Sequence, residues 1–307
     1  MATETLAFTA HNDSAHTLAN LIAQHSVDRH NIETPIDGLF LGRWSTPTPP
    51  VSYTHRSCIC LIAQGSKQVV LGEQSYVYDP LHCLVSSVEL PVVANIIEAS
   101  EAKPYLGLSL DLDLAEISQL ISAGEFSFNH NKQPHAGLSL GKISPALMDA
   151  FIRLVSLLNE PDSIKVLGPM IKREIYFRLL NSEQGARISQ IVATESHSHQ
   201  ITHAINWLKR HYSQPLNIGE LAADSGMSKS AFYTHFRAIT SMTPLQFQKK
   251  LRLSEARRLM LTENLDAMST SFQVGYESPS QFSREYRRQF GAPPLTDIRK
   301  LKESDAA

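Results

Sequence analysis

Two periods of hydrophobicity divide this chain. From Gly38 to Leu112, short apolar and β-branched runs are separated by turn residues: GLFLGRW, CICLIAQ, KQVVL, QSYVYD, CLVSS, PVVANIIEA and YLGLSL, with breaks at Gly65, Gly72, Asp79-Pro80 and Lys103-Pro104. Runs of this length and spacing predict a sandwich or barrel, best a small jelly roll, rather than alternating βαβ units. After Leu112 the period rises to about 3.6 residues. Leu147, Phe151, Leu154, Val155 and Leu158 form one helical stripe that Ser144 can cap and Pro145 can start. Such a stripe is either internal core or a dimer face. Asp113 to Ile121 and Pro169 to Leu180 also read as helical, and Asn181 to Ser198 as a polar connection.

Beyond Leu216 the helix starts announce themselves by capping chemistry. Asn217 with Glu220 three residues on, framed by Leu216 and Leu221, predicts one helix; after Gly226, Ser228 with Met227 and Phe232 predicts a second. Thr243, Pro244 and Gln246 start a third, long helix running to about Thr262. Helix, glycine turn, helix is the layout of a helix-turn-helix. The layout recurs: a short helix from about Asp266 to Gln273, a break at Val274-Gly275-Tyr276, and a new helix started by Ser278, Pro279 and Gln281. Phe232 and Phe236 on one second-position helix, and Phe282, Tyr286 and Phe290 on the other, should pack inward. Ser230, Tyr233, Thr234 and Arg237, and Ser280, Gln281, Arg284 and Arg288, are then turned to solvent.

Charge sharpens this picture. The formal total is -2, yet residues 1–200 hold 13 Lys and Arg against 20 Asp and Glu, while residues 201–307 hold 15 against 10. A basic segment following an acidic one suits a reader of a polyanion. Arg and Gln can bond guanine and adenine edges bidentately, and Ser or Thr can meet bases or phosphates. Lys229, Arg237, Arg287 and Arg288 suit phosphate oxygens, which fix position without reading sequence.

The stretches IGELAADSGMSKSAFYTHFRAITSMTPLQFQKKLRLSEARRLM and VGYESPSQFSREYRRQFGAPPLTDIR resemble the DNA-binding domain of the AraC/XylS transcription regulators. LIAQGSKQVVLGEQSYVYDP, LVSSVELPV and PYLGLSLDLD are similar to the AraC-type regulator N-terminal domain. The resemblance implies an α+β protein of two domains. A cupin-like β-barrel with following helices would occupy residues 1–190, and an all-α domain with two helix-turn-helix units residues 191–307. It also implies that the two units, joined by the helix from about Pro244 to Thr262, enter successive major-groove segments. Position by position, it makes Ser230, Tyr233, Thr234, Ser280, Gln281 and Arg284 the base readers. This chain departs from the family at Met268, Ser269, Thr270 and Ser271, where small apolar residues are usual. A looser helix is expected there, with Phe272, Val274 and Tyr276 filling the core.

A cupin-like barrel raises the enzyme question. The clustered His and Glu ligands of such sites are missing from the sequence: His55 and His82 read as solitary, and His197, His199 and His203 as linker histidines. No metal and no cofactor are therefore expected. Cys58 and Cys60 share one face of a strand, with Cys83 on a later strand, as a candidate effector pocket of thiols beside Arg56. The sequence has no GxSxG elbow and no phosphate-binding loop.

Composition closes off other classes. With 307 residues, 42% hydrophobic and 19% charged, the chain has material for about two packed domains. No run reaches the roughly 18 apolar residues of a membrane span. Met1 to Thr17 reads as neither signal peptide nor anchor, and three cysteines suit a reducing compartment, so a cytoplasmic protein with no membrane partner is expected. The sequence thus predicts a non-enzymatic, sequence-specific DNA-binding regulator of promoter DNA. Its N-terminal domain would answer a small-molecule or redox effector, and a homodimer and contact with RNA polymerase fit the same reading. The alternatives are a cupin-type metal-dependent enzyme with a nucleic-acid module, and a regulator without an effector.

Overall fold

The computed structural model describes residues 2–26, 30–124, 126, 128, 136–192 and 197–305. After helix α1 (Ala2–His25) come nine strands, β1 (Asn31–Glu33), β2 (Leu39–Trp44), β3 (Val51–His55), β4 (Cys58–Gln64), β5 (Ser66–Leu71), β6 (Gln74–Tyr78), β7 (His82–Ser86), β8 (Leu90–Glu98) and β9 (Tyr105–Asp111). Helix α2 (Leu114–Ala123) and strand β10 (Leu138–Lys142) follow, then α3 (Pro145–Ser156), α4 (Pro161–Leu180) and α5 (Gly185–Val192). The last third is helical: α6 (His197–Arg210), α7 (Ile218–Asp224), α8 (Lys229–Thr240), α9 (Pro244–Thr262), α10 (Ala267–Gln273), α11 (Pro279–Phe290) and α12 (Pro294–Asp305).

All seven strands read from the sequence are present; β1, β3 and β10 are additional, short, and join other strands through pairing rather than through an apolar pattern of their own. Pairing is antiparallel throughout, in a six-stranded sheet ordered β1-β2-β9-β4-β7-β10 and a four-stranded sheet ordered β3-β8-β5-β6. Strand β4 explains the continuous apolar run CICLIA. Alternate side chains of a strand face opposite ways, and both faces are covered. Ile59, Leu61 and Ala63 pack with α1, α3 and α4 through Leu18, Ile22, Phe151, Leu154 and Ile175. Cys58, Cys60 and Ile62 turn toward the second sheet, with Val69, Leu71, Val92 and Ala94.

This second core does not stop at the sheets. It continues through Val88, Leu90 and Leu138 to Ile239, and so to Phe232 and Phe236 of the first helix-turn-helix, with Ile205 of α6 and Phe247 of α9. Polar contacts seal the junction: the Gly137 N–H donates to the Ile239 carbonyl at 2.8 Å, and a Lys209–Glu89 ion pair closes at 2.5 Å. At the β5–β6 turn, Gly72 has φ +61° and its Cα lies so close to the helical part that a Cβ would stand 2.7 Å from the Ser241 carbonyl oxygen. Only glycine suits both demands.

The first segment, to which the sequence reading gave no element, is helical, because Ala15, Leu18, Ala19 and Ile22 supply a short buried stripe. Two sequence expectations are corrected. Helix α4 begins at Pro161, whose missing N–H costs nothing in a first turn, and it runs through Pro169. The presumed polar connection 181–198 contains α5, held down by buried Ile188 and Ile191; residues 193–196 of that segment lie outside the described residues. Of the two readings of the Leu147 stripe the internal core holds: Leu147, Phe151, Leu154 and Val155 are at most 2% exposed, so it offers no dimer face.

Candidate nucleic-acid interface and inter-sheet cavity

The helical third is built as two capped units. Asn217 accepts from the N–H groups of Gly219 and Glu220, and its amide reaches the Glu220 carboxylate at 2.7 Å, so Glu220 bonds the cap's side chain instead of its backbone. Ser228 caps α8 through the Ala231 N–H. Thr243 and Gln246 form the reciprocal box at the start of α9. In the second unit Asp266 accepts from Met268 and Ser269 N–H, and Ser278 from Gln281 N–H. Here the Gln281 side chain turns to Glu285 at 3.2 Å rather than closing a box.

Helix α9 holds the units together by polar contacts that the sequence reading missed. The Arg252 guanidinium donates to the carbonyls of Tyr212, Gln214 and Gly275, and buried Gln248 donates to Tyr212 and Gln214 as well. Gly275, at φ +91°, sits where a Cβ would lie 2.1 Å from the Ser213 carbonyl oxygen. Arg257 grips Asp297 of α12 with two bonds of 2.8 and 2.9 Å, Tyr286 donates to the same carboxylate, and both charged side chains are largely buried. Glu285 receives Lys249, Tyr276 and Gln281; burial works against its charge, but these donors hold its carboxyl below the ordinary value. The signal for these residues was available: charged positions inside a helix whose buried residues leave little open face.

The unusual helix α10 is packed by a different device from apolar filling. Thr270 and Ser271 are fully buried, and their hydroxyls donate back to the carbonyls of Asp266 and Met268, each at 2.7 Å. Val274 and Tyr276 fill the core as expected. Phe272 does not: it is 54% exposed, because it falls on the opposite side of this short helix.

Between the sheets lies a cavity of about 580 Å³, with Trp44, Tyr53, His55, Cys58, Cys60, Lys67, Tyr78 and Tyr105 among its walls. Lys67 donates to the Tyr53 hydroxyl at 3.4 Å. Burial raises the hydroxyls of Tyr53 and Tyr78, and pushes that of Tyr105 up to about 12, so all three stay protonated at neutral pH. Burial opposes the Lys67 charge, yet the groups of Tyr53, Tyr105 and Cys60 around it hold its pKa above the ordinary value.

His55 is not solitary, which corrects the sequence reading. The bend between β3 and β4 brings its Nε2 to 3.7 Å from both Cys58 Sγ and Cys60 Sγ, which are 3.6 Å apart. The hydrogen bond between the two sulfurs, with His55, holds the Cys60 thiol well below its usual range, while Cys58 is pushed up by the same bond and by burial. Cys83 does not join them. It faces the other core, bonds the Gly141 carbonyl, and burial raises its thiol to about 12. His82 is satisfied by Asp79 at 2.8 Å, and the His197 ring lies tilted against His235 with centroids 4.0 Å apart.

A model of the AraC-type transcriptional regulator N-terminus matches residues 35–187, and one of a helix-turn-helix domain matches residues 221–300. This chain belongs to the AraC family of DNA-binding transcription regulators. Among its relatives are CdhR of Pseudomonas aeruginosa, 36% identical over 98 residues covering 32% of this chain and 29% of CdhR, and the regulatory protein SoxS of Escherichia coli K12, 35% identical over 99 residues covering 32% of this chain and 92% of SoxS. RafR of Pediococcus pentosaceus, a raffinose operon regulatory protein, is 30% identical over 144 residues, covering 46% of this chain and 50% of RafR. The chain thus spans half or less of the length of CdhR and RafR. In fold it is similar to ToxT of Vibrio cholerae in an unsaturated-fatty-acid-bound crystal structure, with TM-score 0.57, 11% identity, and coverage of 87% of this chain and 97% of that one.

In this AraC-family regulator α8 and α11 are the second helices of the two units. Ser230, Tyr233, Thr234, Ser280 and Arg284 are exposed, whereas Gln281 is half-buried against Glu285, and the Thr234 hydroxyl donates to the Ser230 carbonyl. Lys229, Arg237, Arg287 and Arg288 are all exposed. Two of them, Arg237 and Arg288, line a groove of about 760 Å³ between the helices and the Gly72–Gln74 turn of the β-domain. The Arg257–Asp297 pair sets the second unit's geometry. Arg257→Ala should cost about 3 kcal/mol of stability by leaving a buried carboxylate unpaired, whereas Arg258→Ala, at a half-exposed surface pair, should leave the denaturation midpoint unchanged. Chemical denaturation of the two variants against the parent checks this.

Proposed function

We propose that this AraC-family protein is a cytoplasmic, effector-responsive regulator, divided near residue 190, in which a small molecule held in the β-domain cavity controls how the two helix-turn-helix units meet promoter DNA. The observation that carries the reading is the continuity of one core from the cavity walls at Cys58, Cys60 and Tyr78 to Phe232 and Phe236 of the first unit. A ligand shifts such a system by binding one arrangement better than another. The cavity has a typical ligand volume. Its aromatic walls with one ammonium, Lys67, suit an apolar molecule bearing a single anionic group, the class to which ToxT's fatty acid belongs.

Ser230, Tyr233, Thr234, Ser280, Gln281 and Arg284 read bases in this proposal, and Lys229, Arg237, Arg287 and Arg288 hold phosphates. The regulator reading is preferred to a cupin enzyme because the described residues present no set of two histidines and a carboxylate in the cavity. A homodimer and contact with RNA polymerase belong to the same reading. The dimer face is the exposed stripe of Val166 and Met170 on α4, 65% and 63% exposed. Among the described residues no helix is long and apolar enough to cross a membrane.

Three outcomes are expected. Arg284→Ala should lose about 1–3 kcal/mol at one base position and relax preference there, while Arg288→Ala should weaken all sequences alike and flatten the salt dependence; binding to randomised fragments at two salt concentrations separates them, and equal, sequence-independent losses would remove Arg284 from the base readers. Titrating a long-chain unsaturated carboxylate should change Trp44 fluorescence and DNA affinity together, and Lys67→Met should weaken the ligand about tenfold or more. No change in DNA affinity with any small molecule or oxidant would leave an effector-independent regulator. Val166→Glu with Met170→Glu should convert a sedimenting dimer to monomer; an unaffected dimer would place the interface elsewhere.

A further inference from the structure

The cavity wall carries a cluster of donor atoms to which the effector reading gives no chemical role. His55 Nε2, Cys58 Sγ and Cys60 Sγ form a triangle with sides of 3.6, 3.7 and 3.7 Å, and the three residues are between 1% and 6% exposed. Among the described residues it is the one group of three or more His, Cys, Asp or Glu side chains close enough to share an ion.

We infer that His55, Cys58 and Cys60 form a three-ligand site for a thiophilic metal ion of the Zn(II) or Cu(I) class, with a further coordination position open to the cavity. Two sulfurs and one imidazole are the donor set that soft and borderline ions select. The spacing fits: a tetrahedral ion about 2.3 Å from sulfur and about 2.0 Å from nitrogen holds two sulfurs about 3.8 Å apart and each sulfur about 3.5 Å from the nitrogen. Charge fits as well. A divalent ion with two thiolates and a neutral imidazole is a neutral unit, which a buried wall tolerates; a monovalent ion leaves one negative charge, which the Lys67 ammonium on the same cavity can answer.

A disulfide is the weaker use of these thiols. Residues two apart on a strand have Cα atoms about 6.7 Å apart, at the upper limit of disulfide geometry, while an ion needs no shorter sulfur approach than the one present. Binding displaces one proton from each thiol to water in the cavity, and no electron moves. Three protein ligands beside an open cavity leave a position for water or for a donor atom of a cavity ligand. The site rests on its own donor geometry and stands whether or not an effector binds.

The test uses the full chain, purified anaerobically, reduced and freed of metal. Co(II) should bind at one equivalent with intense tetrahedral visible bands and a thiolate charge-transfer band, and Zn(II) should displace it. Cu(I) is offered separately against a chromophoric competitor, so that the two arms identify the preferred ion. Cys58→Ser, Cys60→Ser and His55→Ala should each weaken uptake at least tenfold, and Cys83→Ser, on the other face of the sheet, should leave it unchanged. Because the cluster is buried and a variant can misfold, the parent protein supplies an independent readout. Bound metal should protect Cys58 and Cys60 from alkylation in peptide mapping. Absence of stoichiometric uptake of both ions, or uptake that survives Cys58→Ser with Cys60→Ser, or alkylation unaffected by metal, would overturn the site.

Discussion

Burial of strand β4 on both faces is the constraint on which the rest of the molecule depends. Ile59, Leu61 and Ala63 anchor the helical layer of α1, α3 and α4, and Cys58, Cys60 and Ile62 face the second sheet. A strand with apolar side chains on both faces must be covered twice, and the two covers have different fates. On the helical side the large rings of Phe151 and Tyr176 are fully buried. The sheet side is incompletely filled, because Tyr53, Tyr78, Tyr105 and Lys67 bring polar ends that do not interdigitate like aliphatic chains, and a cavity remains. That unfilled side is also the one whose core continues into the first helix-turn-helix.

The two helical units are held by different physics. The first is an extension of the β-domain's apolar core through Ile239, reinforced by the Gly137–Ile239 backbone bond and by the close approach of Gly72 to Ser241. The second has its own small core, around Phe282 and Tyr286, and is oriented by charged hydrogen bonds from α9: Arg252 to the carbonyls on either side of it, Arg257 to Asp297, and Lys249 to Glu285. Apolar contacts give cohesion with little direction, whereas bidentate guanidinium bonds fix angles. The second unit touches the β-domain by polar means, as where Gln289 donates to Ser52 at 3.0 Å. The first unit therefore shares the cavity wall's apolar core, whereas the second meets the β-domain through polar contacts of its own and through α9.

Much of this was legible from residue order. The caps at Asn217, Ser228, Thr243, Asp266 and Ser278, and the strand runs between Gly38 and Leu112, depend on interactions within a few residues, so the sequence alone determined the elements, the two-unit helical layout and the family. Pattern failed where an element is held by partners far along the chain. Strands β1, β3 and β10 gain their hydrogen bonds from β2, β8 and β7, and α5 is fixed by a core assembled from α2, α4 and the sheet. Phe272 and the Leu147 stripe show the same limit: a helical period says which residues share a face and not what that face meets. The tertiary structure decided that Leu147 points inward, that Cys83 parts from Cys58 and Cys60, and that His55 joins them. It also placed Arg252 and Arg257 as clamps, because ligand sets and clamps are made by residues whose separation in sequence carries no information about their separation in space.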